Sequence, residues 1–478
     1  MFFNTRWSVS LAALTAFGSF TGWAADSSVS TPTNANSPVV SSSVLPTVSP
    51  AVVEEDGGFV GYLRVGAGVS TSGGTQDCYY LGNGNGHGYR LGNECDSYTE
   101  LGYSKTLLKS DDGIRFVGHF MITDYSGNSA YSGNVQISQI FISVVGLEGL
   151  NGGTPWLGER FYERPDIHWM DLQYINLNGT GGGIDNIDTA WGGKFSYAVF
   201  KDNDTNNYSG TSFSSFSSSN AAIRNDFLYR NLPVNAGGSL DAIVGLILPT
   251  SPSDDRHKGY NLHVFHKQSI LGGGNLFGVQ YGMGPGTGEG TPTQFDPSQP
   301  TSAFGSTGGV GPNAICCNRM GQSGSTLLGP EDTRLRIFDA IWIQPTPRFS
   351  AAFDLLYEAD KFPVYGGISS WESMGVRPEY AFTRHFKLQG EIGIDRVTYP
   401  EAPTENLIKY TLAPTLTLGP GFFDRPELRL FVTRANWNSA AIATVNANNV
   451  TNTASIGQTT SDTSFGIQLE AWWGKNWF

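Results

Sequence analysis

From Gly58 onward, apolar and polar side chains alternate along much of the chain, the two-residue period of an extended strand whose faces meet different surroundings. Leu388, Gly390, Ile392 and Ile394 oppose Lys387, Gln389, Glu391 and Asp395. Ile408, Tyr410, Leu412, Leu416 and Leu418 oppose Lys409, Thr411, Thr415 and Thr417. Near the end, Phe465, Ile467, Leu469, Ala471 and Trp473 share one face, and Gly466, Gln468, Glu470 and Trp472 share the other. No stretch sustains a helical period, so the pattern predicts an all-β chain of strands separated by turns.

A soluble β-sandwich with one wet face alternates in the same way. Two further features favour a transmembrane antiparallel β-barrel over residues 59–478. The chain ends on Phe478 behind Trp472, Trp473 and Trp477, as an interfacial aromatic girdle on a closing strand would. Connections are also unequal. Short turns at 151–154 and 345–348 contrast with long loops near 201–225, 281–332 and 434–462, matching short periplasmic turns and long extracellular loops. Roughly 16 to 18 strands fit comfortably into that length.

Composition is compatible with this and narrows the function. The chain has 478 residues, of which 39% are hydrophobic and 13% aromatic, and includes 61 glycines. No run of about 18 apolar residues is present, which excludes helical spans but not a barrel, because a barrel strand shows lipid only alternate side chains. A net charge of -13 without a Lys/Arg cluster argues against nucleic acid as a partner. Arg6, the apolar run 9–20 and the small residues Gly22 and Ala24 read as a signal peptide over 1–24, hence export. Residues 25–58, rich in Ser, Thr and Pro, read as a flexible segment.

The chemistry lies on the water-facing parity. Tyr62 and Arg64 share a face, as do Asp96, Tyr98 and Glu100, then Arg160, Tyr162 and Arg164, then Glu470 and Trp472. Any one such ring is more often a girdle or packing residue than a ligand contact. Together they predict a pore wall of aromatics beside charges of both signs. Sugars suit that wall, since pyranose C–H faces pack on rings while hydroxyls need donors and acceptors. Weak repeated sites also let a solute leave. Trp473, of opposite parity, belongs to the girdle.

Other signals are weaker. Among four cysteines in an exported chain, Cys78 and Cys95 form the favoured pair, stabilising by about 3 kcal/mol in the chain-entropy picture; Cys316 and Cys317 stay open between thiols and an intermolecular bridge. Gly82 to Gly88 lacks the strand-to-helix context of a phosphate loop. Asp202, Asp204 and Asn206 have a calcium-like spacing without the Gly and distal Glu of an EF-hand, and His263 and His266 differ in parity. No metal or cofactor is therefore expected. A barrel hydrolase would need a Ser–His–acid set, and no G-x-S-x-G elbow occurs.

The segments 61–64 (GYLR), 89–95 (YRLGNEC), 158–164 (GERFYER) and 186–188 (NID), followed by 280–281, 376–378, 425–426 and 465–473, resemble the maltoporin family of bacterial outer-membrane sugar channels in order and spacing. The resemblance is near-continuous over 59–190 and patchy but collinear to 473. It implies an 18-stranded homotrimeric barrel in the outer-membrane lipid, with an inward loop and an aromatic lane for maltodextrin-like sugars. By motif, Tyr62, Tyr98, Phe423 and Trp472 become lane aromatics, and Arg64, Arg90, Glu100, Arg164 and Asp171 the polar track. Gln173 and Tyr174 fall at the constriction, and Cys78 and Cys95 match the family's loop disulfide.

The chain also departs from the family pattern. Gln173 precedes Tyr174 where the family has two tyrosines, and Asn176 replaces an acid. Residues 124–134 lack the Trp that a neighbouring subunit contributes, leaving Tyr125 or Tyr131 for that role. A lower lane aromatic falls at Gly274, near Phe277, and no Arg lies between His119 and Asn151. These departures touch maltodextrin selectivity more than sugar passage, so a general or other-carbohydrate porin is the alternative expectation.

Overall fold

A computed structural model describes residues 58–81, 88–126, 135–203, 221–250, 255–289, 320–363, 366–400, 402–447, 449 and 456–474. The expected signal peptide, nearly all of the 25–58 segment, Tyr131, Asp204, Asn206, Cys316, Cys317, Trp477 and Phe478 lie outside the described residues.

Eighteen strands follow one another around a single sheet. They are β1 (Gly58–Ser70), β2 (Ser97–Lys109), β3 (Arg115–Ser126), β4 (Gln136–Val145), β5 (Thr154–Arg160), β6 (Gly179–Asp188), β7 (Lys194–Asn203), β8 (Ala221–Asn235) and β9 (Gly238–Pro249). The second half comprises β10 (Gly259–Ile270), β11 (Gly273–Met283), β12 (Thr333–Thr346), β13 (Phe349–Phe362), β14 (Gly367–Thr383), β15 (Phe386–Thr398), β16 (Glu405–Thr417), β17 (Glu427–Trp437) and β18 (Ser461–Trp473). Each pairs antiparallel with its sequence neighbours, and β18 closes on β1 with Tyr62 opposite Trp472 and Arg64 opposite Glu470. Closure removes the unpaired sheet edges that a bilayer would not tolerate.

Successive connections fall at opposite ends of the barrel, and the longest belong to one end. One end carries 71–96, 127–135, 161–178, 204–220, 250–258, 284–332, 363–366, 399–404 and 438–460. The other carries 110–114, 146–153, 189–193, 236–237, 271–272, 347–348, 384–385 and 418–426. Two-residue hairpins are affordable where glycine takes the left-handed region, as Gly237 (φ 70°) and Gly272 (φ 73°) do.

Parity decides the two faces. On β16, Glu405, Lys409, Thr411 and Thr415 are buried inward, while Tyr410, Leu412 and Leu416 stand exposed outside. On β15, Lys387, Gln389, Glu391 and Asp395 turn in, and Ile392 and Ile394 turn out. Trp473 stands outside, as its parity predicts. The inward charges form a lattice around the wall: Arg377 with Glu391 (2.6 Å), Lys387 with Glu379 (2.7 Å), Arg429 with Glu427 (2.8 Å) and Arg334 with Asp360 (2.6 Å). An apolar outside around a charged inside inverts the order of a soluble protein and suits a wall between lipid and water.

One expectation of shared strand parity fails. β5 ends at Arg160, so Tyr162 and Arg164 sit in the following loop rather than on its wet face. The chain leaves the wall there: the Phe161 N–H donates to Gln139 Oε1 instead of continuing the ladder, and Glu163 takes a positive φ of 33°. Asp96 likewise precedes β2 rather than lying in it.

Candidate functional site

The closing register places Tyr62 of β1 between Glu100 of β2 and Trp472 of β18. Inward parity then builds a row of rings across adjacent strands. The Tyr98 and Tyr62 centroids are 6.0 Å apart, and Tyr62 stacks on Trp472 at 6.5 Å and 14°. From Trp472 the row continues to His168 at 5.3 Å edge-on, then to Phe423 at 6.3 Å and Trp342 at 5.2 Å. Two of these rings escaped the sequence reading. Trp342 shares inward parity with Arg334 and Arg336 on β12, which was the available signal, and it lies in register opposite Gly274. A ring thus stands beside Gly274 on the neighbouring strand, whereas Phe277 points outward and takes no part in the row.

Charged groups run beside the rings. Arg90 is the hub. Its guanidinium donates to the Tyr62 hydroxyl at 2.8 Å, pairs with Glu94 at 3.0 Å, reaches Glu470 at 3.4 Å and bonds Asp171. Arg64 pairs with Asp96 at 2.6 Å and Glu94 at 2.9 Å. Arg164 pairs with Glu100 at 2.7 Å and lies over the Phe161 ring at 4.1 Å. Glu470 also accepts the Tyr62 hydroxyl at 2.9 Å. Arg425, unmarked by the sequence reading beyond its motif, covers Trp472 at 4.2 Å and bonds Glu470 at 2.9 Å. Burial pushes the Glu94 carboxyl above its ordinary value despite Arg64 and Arg90. Burial acts the same way on Asp166, but the hydrogen bond and charge of His168, with Arg90 and Arg164, hold it below the ordinary range.

The loop 161–178 carries several of these groups into the lumen. An isolated bridge between Ile167 and Leu172 closes a 3-10 turn at His168–Met170, ended by Asp171 at φ 53°. The loop is fastened by Arg224, which donates to the carbonyls of Leu177 (2.8 Å) and Asn178 (3.3 Å), and by the Asn176 N–H bonded to the Met320 carbonyl (2.7 Å). The Cys78–Cys95 disulfide cross-links the other inward loop, 71–96.

Of the residues singled out from the sequence, Tyr62, Tyr98, Phe423, Trp472, Arg64, Arg90, Glu100, Arg164 and Asp171 come together. Tyr174 does not join them. Its ring packs into the wall against Phe265 (5.0 Å) and Phe338 (5.2 Å), while its carbonyl accepts from Gln280 at 2.7 Å. Gln173 is half-buried, and its Oε1 accepts from Asn176 Nδ2 at 3.2 Å. The two amides that depart from the maltoporin pattern therefore bond each other.

Residues 58–473 match the family described as LamB porin. The fold is similar to OmpT, an outer membrane protein of Vibrio cholerae (8% identity, 89% of this chain and 100% of that chain, TM-score 0.41). It is also similar to Salmonella typhi OmpF in complex with daunomycin (9%, 87% and 97%, 0.44) and to an anion-selective porin from Comamonas acidovorans (11%, 87% and 100%, 0.38).

Proposed function

This chain belongs to the LamB porin family, and from that membership we propose that its outer-membrane channel passes sugars of the maltodextrin kind by facilitated diffusion, in a homotrimer. The observation that carries the reading is the unbroken row of rings from Tyr98 to Trp342 with Arg64, Arg90, Glu100, Arg164 and Asp171 beside it. A sugar sliding along the row keeps its C–H faces on rings while its hydroxyls exchange one charged partner for the next. Each step is weak, so bound sugar is not trapped.

A second reading, a porin without maltodextrin preference, draws on Gln173 and Tyr174. With Tyr174 turned into the wall and Gln173 tied to Asn176, neither offers a ring to the lumen. A hydrolase finds less support. His119 contacts Ser104 (2.8 Å) and Ser143 (2.9 Å), but the two hydroxyls occupy both ring nitrogens and leave no place for an orienting carboxylate.

Single-channel conductance in planar bilayers separates the readings. Maltose-series sugars block the current with affinity rising with chain length if the lane is a maltodextrin path. Block by sucrose or other glycans alone points to another carbohydrate, and block by none points to a general porin.

A further inference from the structure

Two side chains from different inward loops end on one carboxylate. Asp354 is buried on the inner face of β13. Its Oδ2 accepts the hydroxyl of Tyr89, from loop 71–96, at 2.8 Å. Its Oδ1 accepts the indole N–H of Trp169, from loop 161–178, at 2.6 Å. The other inward acids of β13, Glu358 and Asp360, are ion-paired with Arg336 and Arg334, whereas among the described residues Asp354 forms no ion pair. A buried carboxylate is costly unless its lone pairs are satisfied. Here each oxygen has one donor, and the two donors come from different loops.

The wall is shaped to receive the first donor. Gly375 of β14 and Gly393 of β15 lie opposite each other in register, and a Cβ at either would fall inside the Tyr89 ring. The phenol also bonds Ser373 at 2.9 Å. The loops meet each other at this point too, the Gly88 N–H bonding the Met170 carbonyl (3.2 Å) and the Arg90 N–H the Trp169 carbonyl (3.4 Å). Each latched residue adjoins one at the lane: Tyr89 precedes Arg90, the hub of the polar track, and Trp169 follows His168, which bridges Trp472 and Phe423.

We propose that Asp354 is a positioning residue that latches both inward loops to the β13–β15 wall, so that a group touching no permeating solute sets the width of the pore and the placement of Arg90 and His168. The effect on sugar rests on the sugar-channel reading; the effect on ionic current does not.

The test is single-channel recording of Asp354→Asn, which keeps the shape but supplies one acceptor oxygen in place of two, beside Tyr89→Phe, which keeps the ring in its slot and removes one donor. Both are expected to raise open-channel noise and mean conductance, and to weaken sugar block by up to about tenfold, the scale of a lost buried hydrogen bond. Tyr89→Phe added to Asp354→Asn has less effect than on the parent, because the two share one interaction. Should Asp354→Asn fail to assemble as a heat-modifiable oligomer, Tyr89→Phe carries the test alone. Unchanged conductance and noise in the assembled variants overturns the latch. A channel that no sugar blocks, yet whose current changes in these variants, overturns the sugar reading and supports the latch.

Discussion

Trp472 shows how a single ring acquires a role from what surrounds it. Its neighbour Trp473 has the same chemistry, but the strand period sends it outward, while Trp472 lies between the Tyr62 ring and the Arg425 guanidinium. A ring contact of this kind is worth about 0.5–1.5 kcal/mol beyond area burial, so Trp472→Ala is expected to weaken sugar block by up to about tenfold. Trp473→Ala should leave block unchanged, and conductance titration with maltose-series sugars reads both. Gln173 offers the converse test. Tyr174 beside it takes the wall, and Gln173 remains half-exposed, in amide contact with Asn176. Gln173→Tyr is expected to lower conductance by placing a ring in the lumen, and unchanged conductance would remove this position from the constriction.

Strands transmit their sequence to the structure more faithfully than loops. The alternation in 387–395, 405–417 and 465–473 carries directly into inward and outward faces, because a one-residue slip would exchange every lipid-facing and lumen-facing side chain at once. The same rule places Trp342 inward with Arg334 and Arg336 on β12. It misassigned Tyr162 and Arg164 because parity has no meaning once the chain leaves the ladder after Arg160. Tyr174 was placed by motif at the constriction, but its direction is set by Phe265, Phe338, Gln280 and Arg336, from strands about a hundred residues or more away in sequence. His168 and Trp169 are not legible for a like reason: nothing local in a three-residue turn shows that one ring will meet Trp472 and the other Asp354. The strand rule has an energetic consequence. Leu412 lies near the middle of β16 with its side chain outward, so Leu412→Arg is expected to destabilise the barrel by about 2–4 kcal/mol. Equilibrium unfolding from lipid vesicles measures that cost, and a loss below about 1 kcal/mol would mean that this face does not meet acyl chains.

Across the whole molecule, buried acids outnumber buried bases among the described residues, and the charges of the lane differ further in their access to water. At the lane, the side chains of Asp171, Asp166 and Asp96 are 37%, 25% and 19% exposed, against 18%, 8% and 7% for Arg164, Arg64 and Arg90. The guanidiniums sit back in ion pairs and on aromatic faces, and Glu94, Glu100 and Glu470 are buried with them, whereas Asp171, Asp166 and Asp96 are the more exposed charges. An ion in the pore therefore meets a negative surface, and a potassium chloride gradient across one channel should give a reversal potential of the sign for cation preference. Asp171→Asn is expected to move that potential toward zero. Raising the salt from about 0.1 M to 1 M should do the same, since the screening length falls from about 10 Å to 3 Å. Asp166, held below the ordinary carboxylate range by His168, Arg90 and Arg164, keeps its charge as the pH falls through that range. Part of the cation preference should accordingly survive at a pH where an unperturbed carboxylate is half protonated. Anion preference at low salt and neutral pH would show that the buried guanidiniums, not the exposed acids, govern what enters.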